Sequence, residues 1–255
     1  MSNIMLSNNG ISNSNKSKFM APRPEGVKPT TVVITYSVCN GNLEQTINTL
    51  QGGGTSVHYI IDQDEKQYQY HNDLTDKTFF AGKSSWKGTD SVNDFGIGIM
   101  LINDAKSEFS TIQISQLKNL LTDIQERYPE IDLKTNLVGL GEITVNREVN
   151  NHIAPGKLFP WKDLAESDFG RYFETTDEQK SKKLLTSGDT GAEVKALQEN
   201  LQAYGYGVQS TGIFDKFTAQ AVQVFNTRYN TGLPDEEPPI SYTEATQHEL
   251  ELLGV

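Results

Sequence analysis

Residues 96–103 (GIGIMLIN) are apolar over nearly their whole length and show no alternation of polar and apolar side chains. A run this short has the length of a strand, and a strand without a polar face must be covered on both sides. Residues 30–37 (TTVVITYS) are β-branched and apolar and read the same way. The chain therefore has to supply helices to both faces of a sheet. Leu43, Ile47 and Leu50 fall at helical spacing and are stopped by Gly52, Gly53 and Gly54. Ile114, Leu117, Leu121, Ile124 and Tyr128 make a longer stripe behind a capping-box pattern of Ser110 and Gln113. Residues 57–62 (VHYIID) and 66–71 (KQYQYH) read as strands around a polar turn at 62–65, and 137–140 as another short strand. The sum is an α/β domain over residues 25–172, a mixed central β-sheet flanked by helices.

Residues 1–24 are rich in Ser and Asn and read as a flexible N-terminal arm ending near Pro22 and Pro24. They hold no apolar stretch of the kind a signal peptide needs, which leaves the compartment open among the cytoplasm, the outside by a leaderless route, and a sequence supplied without its signal. Residues 173–184 (FETTDEQKSKKL) are charged and weakly patterned and read as a linker. Beyond them the texture is helical. Val194, Leu197, Leu201 and Tyr204 form a stripe closed by residues 205–207 (GYG). Asp215 opens a second helix carrying Ala219, Val222 and Phe225. Ser241 with Glu244 gives a capping box for a third, which ends in Leu250, Leu252 and Leu253. Residues 185–255 thus read as a small three-helix all-α domain.

Composition narrows the partners. The net charge is −11 and no basic cluster stands out, which argues against nucleic acid. No stretch approaches the roughly 20 apolar residues of a membrane span. The single cysteine, Cys39, precludes an intrachain disulfide and reads as a small buried apolar residue.

Residues 78–103 (TFFAGKSSWKGTDSVNDFGIGIMLIN) and 136–161 (NLVGLGEITVNREVNNHIAPGKLFPW) resemble segments of the zinc-dependent N-acetylmuramoyl-L-alanine amidases, which cut the bond between glycan and stem peptide in the bacterial cell wall. Residues 187–226 resemble the peptidoglycan-binding domain found beside many wall hydrolases. The match rests on a Gly-x-x-Gly-x-Glu-Val start, a Leu-Gln helix, Gly-Tyr, and Gly-x-Phe-Asp before Thr and Ala-Val-x-x-Phe. The likeness runs from about residue 25 to 254.

The resemblance also implies where the chemistry should sit. The first zinc ligand of V-x-H-Y-T falls on Thr35, the second, of V-x-H-x-D-I, on Leu140, and the Asp of D-P-G-x-L-F-P-W on Ala154. The carboxylate of S-I-G-I-E falls on Met100 and the histidine of W-H-A-G on Phe80; about four extra residues precede the third ligand position. Zinc needs His, Cys, Asp or Glu to hold it, and it serves this chemistry by lowering the pKa of its water from about 15.7 to about 7. The expectation is therefore a protein without metal, cofactor or catalytic residue: a pseudoenzyme that binds peptidoglycan or a muropeptide. Tyr36, His58, Trp86, Asn93, Asn103 and His152 are the expected substrate-binding residues, with a turn role open for each asparagine. Two alternatives stay open. One is a working amidase rebuilt around His58, His152 and Glu142; the other is a protein-interaction module on the same fold.

Overall fold

The computed structural model describes residues 18–38, 41–64, 66–104, 106–147, 153–233 and 239–255. Cys39 and His152 lie outside the described residues. The chain begins with β1 (Met20–Pro22), β2 (Thr31–Tyr36), α1 (Leu43–Gly52), β3 (Tyr59–Ile61) and β4 (Gln67–Gln69). Next come β5 (Asp76–Thr78), the hairpin of β6 (Ser85–Trp86) and β7 (Thr89–Asp90), and β8 (Gly96–Leu101). The first domain is completed by α2 (Thr111–Arg127), α3 (Leu133–Asn136), β9 (Leu137–Gly139) and α4 (Trp161–Ala165). The second part comprises α5 (Asp177–Ser181), β10 (Lys183–Thr186), α6 (Ala192–Tyr204), α7 (Lys216–Tyr229), β11 (Ser241–Thr243) and α8 (Glu244–Leu253).

The central five-stranded sheet has the order β4-β3-β8-β2-β9. It is mixed: β3, β8, β2 and β9 run parallel, and β4 closes one edge antiparallel to β3. All six residues of β8 are buried, because the strand has a core on each face. Alternate side chains serve each one. Val32, Ile34, Ile97 and Ile99 join Leu117, Leu121 and Ile124 of α2, together with Phe159 and Trp161. Val33, Met100 and Val138 point the other way, toward Ile47 and Leu50 of α1, Phe80 and Trp86. A third core lies among α6, α7, α8 and the antiparallel β10–β11 ribbon.

Several local expectations are corrected. The arm does not run to residue 24: β1 pairs with β5, and Arg23 is buried, donating to the carbonyls of Asp73, Asp94 and Gly96. Residues 173–184 are not a bare linker, since they contain α5, with a Thr176–Gln179 capping box, and the start of β10. The third C-terminal helix is capped by Thr243 with Thr246, because Ser241 is spent in β11. Ser110 does cap α2, accepting from Gln113 N. The reciprocal half of that box is missing. Gln113 Nε2 instead donates to Ile61 O and Ile102 O, at 3.2 and 3.1 Å, which ties α2 to the ends of β3 and β8.

The two domains are joined by a buried ion pair. Arg228 of α7 lies 2.6 Å from Glu142 Oε2, and both side chains are nearly inaccessible. Glu142 also accepts from Gly139 N at 2.6 Å and from the Tyr204 hydroxyl at 3.2 Å. Tyr204 has one proton to give, so the 2.8 Å contact between the two phenols is donated by Tyr229. Arg228 spends its other terminal nitrogen on Leu137 O and lies 4.0 Å from the Trp161 ring centroid. Burial pulls the guanidinium pKa down, but Glu142 and the two tyrosines outweigh it and the group is held firmly charged. Beside this pair, Trp86 meets Tyr204 and Tyr206 edge-on at 5.6 and 6.0 Å. Gly205 must be glycine twice over: its φ is +140°, and a Cβ there would stand 2.9 Å from the Trp86 ring. Lys87 N donates to Gly205 O at 2.9 Å, and Asn146 Nδ2 donates to Gly207 O.

Removing one partner of such a pair leaves a charge buried alone. Arg228→Met should lower the unfolding free energy by about 3–5 kcal/mol in urea titrations. The Glu142→Gln, Arg228→Met double variant should lose clearly less than the sum of the single losses, because the two groups interact directly.

Candidate functional site

Thr35, Met100, Phe80 and Leu140, four of the five positions aligned with the amidase machinery, lie on the α1 face of the sheet. Thr35 stands opposite Met100 in the parallel register of β2 and β8, so the two share a face. Leu140 follows β9 and continues its pairing, its N–H donating to Ile34 O at 2.9 Å. Phe80 lies across β8: a Cβ on Gly98 would come within 2.8 Å of its ring, so the strand can pass beneath only as glycine. Phe80, Met100, Ile143 and Val138 are buried in one cluster, with Leu140 half-buried against it. Ala154 is buried as well, and its carbonyl accepts from Gly141 N at 2.9 Å. Phe80, Met100, Val138, Ile143 and Leu140 form an apolar floor. Leu, Met, Phe and Ala have no anionic or imidazole donor to offer a divalent cation, and they do not fit zinc. Among the described residues, no group of three or more His, Cys, Asp or Glu side chains is placed to hold a metal.

Most of the expected substrate-binding residues prove to be internal. Trp86 is 2% exposed and sealed by Tyr204 and Tyr206, so it has no face for a sugar. Tyr36 follows Thr35 in the strand and so points to the opposite face, where it packs against the α2 core. Asn93 is buried and accepts from Ala81 N at 2.9 Å, fixing the turn after Phe80. Asn103 is buried and binds Ser37 Oγ through its N–H and Ser107 O through its amide. It fastens the end of β8 to that of β2.

His58 is wholly buried and both ring nitrogens are spent. Gly98 N donates to Nδ1 at 2.9 Å, which puts the proton on Nε2, where it is given to Asp76 O at 3.0 Å. Thr78 Oγ1 and Arg23 Nη2 complete the shell. Burial above all, and the neighbouring Arg23 charge, push its pKa down to about 4, so the ring stays neutral. His58 and Glu142 share no hydrogen-bond partner among the described residues, and Glu142 is committed to Arg228. The proposed His58–Glu142 half of a rebuilt centre is therefore not assembled, and the third member, His152, is not described.

Sequence reading missed Arg228. Its helix was legible from Ala219, Val222 and Phe225, but its partner is 86 residues away and nothing in the local pattern announces it. A cleft of about 700 Å³ lies between residues 156–162 and α7, beside Trp161, Tyr172 and Asn226. Its lining shares no residue with the cluster of Phe80 and Met100. A second buried acid, Glu249 of α8, accepts from Phe173 N at 3.3 Å with one carboxyl oxygen while the other has no partner. Burial pushes its pKa up to about 7.

A mixed sheet with the motif-aligned positions near its strand ends, followed by a docked helical module, is the arrangement of an amidase scaffold with an appended helical domain. Residues 25–157 match the N-acetylmuramoyl-L-alanine amidase family and residues 190–235 the "Putative peptidoglycan binding domain". A Rickettsia conorii protein named "Putative N-acetylmuramoyl-L-alanine amidase" is 65% identical over 252 residues, 98% of this chain and 94% of its own length. The amidase AmiD of Escherichia coli K12 is 28% identical over 198 residues, 70% of this chain and 67% of its own. The structure of AmiD in complex with its anhydromuramyl peptide substrate superposes with a TM-score of 0.70 at 24% identity, over 89% of this chain and 90% of that one. AmpDh3 of Pseudomonas aeruginosa, in complex with anhydromuramic pentapeptide, gives 0.68 at 23% identity, over 89% and 92%. The chain belongs to the N-acetylmuramoyl-L-alanine amidase family.

The two shifted groups act oppositely on stability. The His58 pKa is lowered from 6.5 to about 4, so the unfolded chain binds the extra proton and stability rises with pH across that window. The Glu249 pKa is raised from 4.5 to about 7, so the folded chain binds the extra proton and stability falls as pH rises there. Between about pH 4.5 and 6.5 the two slopes offset. Urea unfolding at a series of pH values should show Glu249→Gln exposing a stability that climbs with pH, steeper than in the native protein.

Proposed function

We propose that this protein is a catalytically inactive member of the amidase family that binds peptidoglycan or muropeptides without cutting them. The observation that carries the reading is the set of residue types at the aligned positions: Thr35, Leu140 and Ala154 stand at the three aligned with zinc ligands, and Met100 and Phe80 at those aligned with the carboxylate and the further histidine, with Leu140, Met100 and Phe80 in one apolar cluster. Amide hydrolysis in this family depends on a metal-activated water, and these side chains neither hold the ion nor move its proton. Filling the site with hydrocarbon removes the cost of burying unpaired polar groups, which stabilises the fold at the expense of the chemistry. The binding half of the proposal rests on the family match at residues 190–235 and on relatives solved with anhydromuramyl peptides. Trp86, Tyr36, His58, Asn93 and Asn103 act in it as supports of the scaffold, not as contacts.

A second reading is a working N-acetylmuramoyl-L-alanine amidase, and the name given to the 65%-identical relative favours it. No helix among the described residues is long and apolar enough to cross a membrane, so either form can be assayed directly with insoluble wall. Incubated with purified peptidoglycan in the presence of zinc, the full chain should co-sediment with the wall and release no stem peptide. Release of L-alanyl stem peptide with turnover would establish the second reading. Failure to sediment, together with no affinity for soluble muropeptide, would favour a protein-interaction role.

A further inference from the structure

A small pocket of about 120 Å³ lies at the seam of the two domains. Lys87, Lys134, Thr135 and Arg171 line it from the first domain, and Tyr204 and Tyr229 from the second. Ligand pockets for whole small molecules run to about 300–1,000 Å³, so this one has room for a single functional group and not for a sugar ring. A wider groove of about 480 Å³ shares Lys134 and Arg171 with it.

Two cations of this pocket make no ion pair: among the described residues, neither Lys87 nor Arg171 has a carboxylate within ion-pair distance. Lys87 Nζ donates to Thr135 Oγ1 at 3.1 Å, and Arg171 makes one long contact, 3.5 Å, to Leu253 O. The acid within electrostatic reach of Lys87 is Asp132, and it is already engaged: Oδ1 accepts from Lys134 N and Oδ2 from the Thr135 hydroxyl. Lys134 is paired with Asp168, and the Arg228 charge is met by Glu142. Partial burial, and then the nearby Arg171, pull the Lys87 pKa below its ordinary value while Asp132 works against them. In a chain of net charge −11, two neighbouring cations are thus left without a direct ion pair among the described residues.

We propose that this seam pocket is a site for a small oxyanion, a carboxylate or phosphate group held between Arg171 and Lys87. The planar guanidinium keeps several free donors and can take two oxygens at once, while the ammonium supplies a point charge from the other side. An oxyanion there offsets the repulsion between Arg171 and Lys87. The site stands apart from the apolar floor and does not depend on the function proposed above.

The test is a titration of the full chain, followed by 1H–15N NMR at constant ionic strength, with inorganic phosphate, with acetate, and with acetamide as the uncharged match to acetate. Saturable shifts of Lys87 and Thr135 amides are expected with at least one of the two anions and not with acetamide. The anion that binds more tightly identifies the group the pocket takes. Lys87→Gln and Arg171→Gln should each weaken binding about tenfold or more, because each removes a charge-assisted contact. Lys83→Gln, outside the pocket, should leave it unchanged. A dispersed amide spectrum in each variant verifies folding. Absence of saturable shifts, equal response to acetamide, or binding untouched by both pocket variants would overturn the proposal.

Discussion

The Glu142–Arg228 pair fixes how the rest of the molecule is arranged. Its partners come from different domains, and both are nearly inaccessible to water. A pair of this kind adds little net stability over a hydrocarbon packing of equal volume, but breaking it is costly. Its effect is on geometry. Glu142 follows the end of β9 by a few residues and accepts from Gly139 N, so Arg228 indirectly sets the backbone on which Leu140 sits. Tyr229 and Tyr204 extend the same network, and Tyr204 in turn closes over Trp86. The helical module is thereby part of the first domain's core boundary, not a freely tethered appendage.

That docking explains why the site was only partly legible. The sheet was readable because GIGIMLIN and TTVVITYS leave no polar face, and because α1 and α2 carry apolar stripes at helical spacing. Periodicity reports local burial well. It does not say what covers an aromatic residue, so Trp86 in a polar loop read as a binding face when it is the plug between two domains. His58 read as a pocket residue for a similar reason. A lone histidine in a strand gives no indication that Gly98 N and Asp76 O will use both of its nitrogens. The caps show the same limit on a smaller scale: Gln113 satisfied the capping-box pattern, yet two strand-end carbonyls competed successfully for its amide.

The apolar floor stands differently, because residue type alone decides much of it. Thr35, Leu140, Ala154, Met100 and Phe80 were identified by their place in the amidase pattern, and the structure puts Phe80, Met100 and Leu140 in one hydrophobic cluster on the face that pattern uses. The Phe80 ring lies against Gly98, where a Cβ would stand 2.8 Å from it, so ring and strand pack in direct contact. Close-packed hydrocarbon of this kind is stable in its own right.

Metal stoichiometry probes this most directly. The full chain is equilibrated with excess zinc, desalted, and analysed by inductively coupled plasma mass spectrometry beside the native E. coli AmiD. Zinc retained far below one equivalent is the expected result, since no trio of ligands is assembled among the described residues. Retention of about one zinc per chain, as a three-ligand protein site would give, contradicts it.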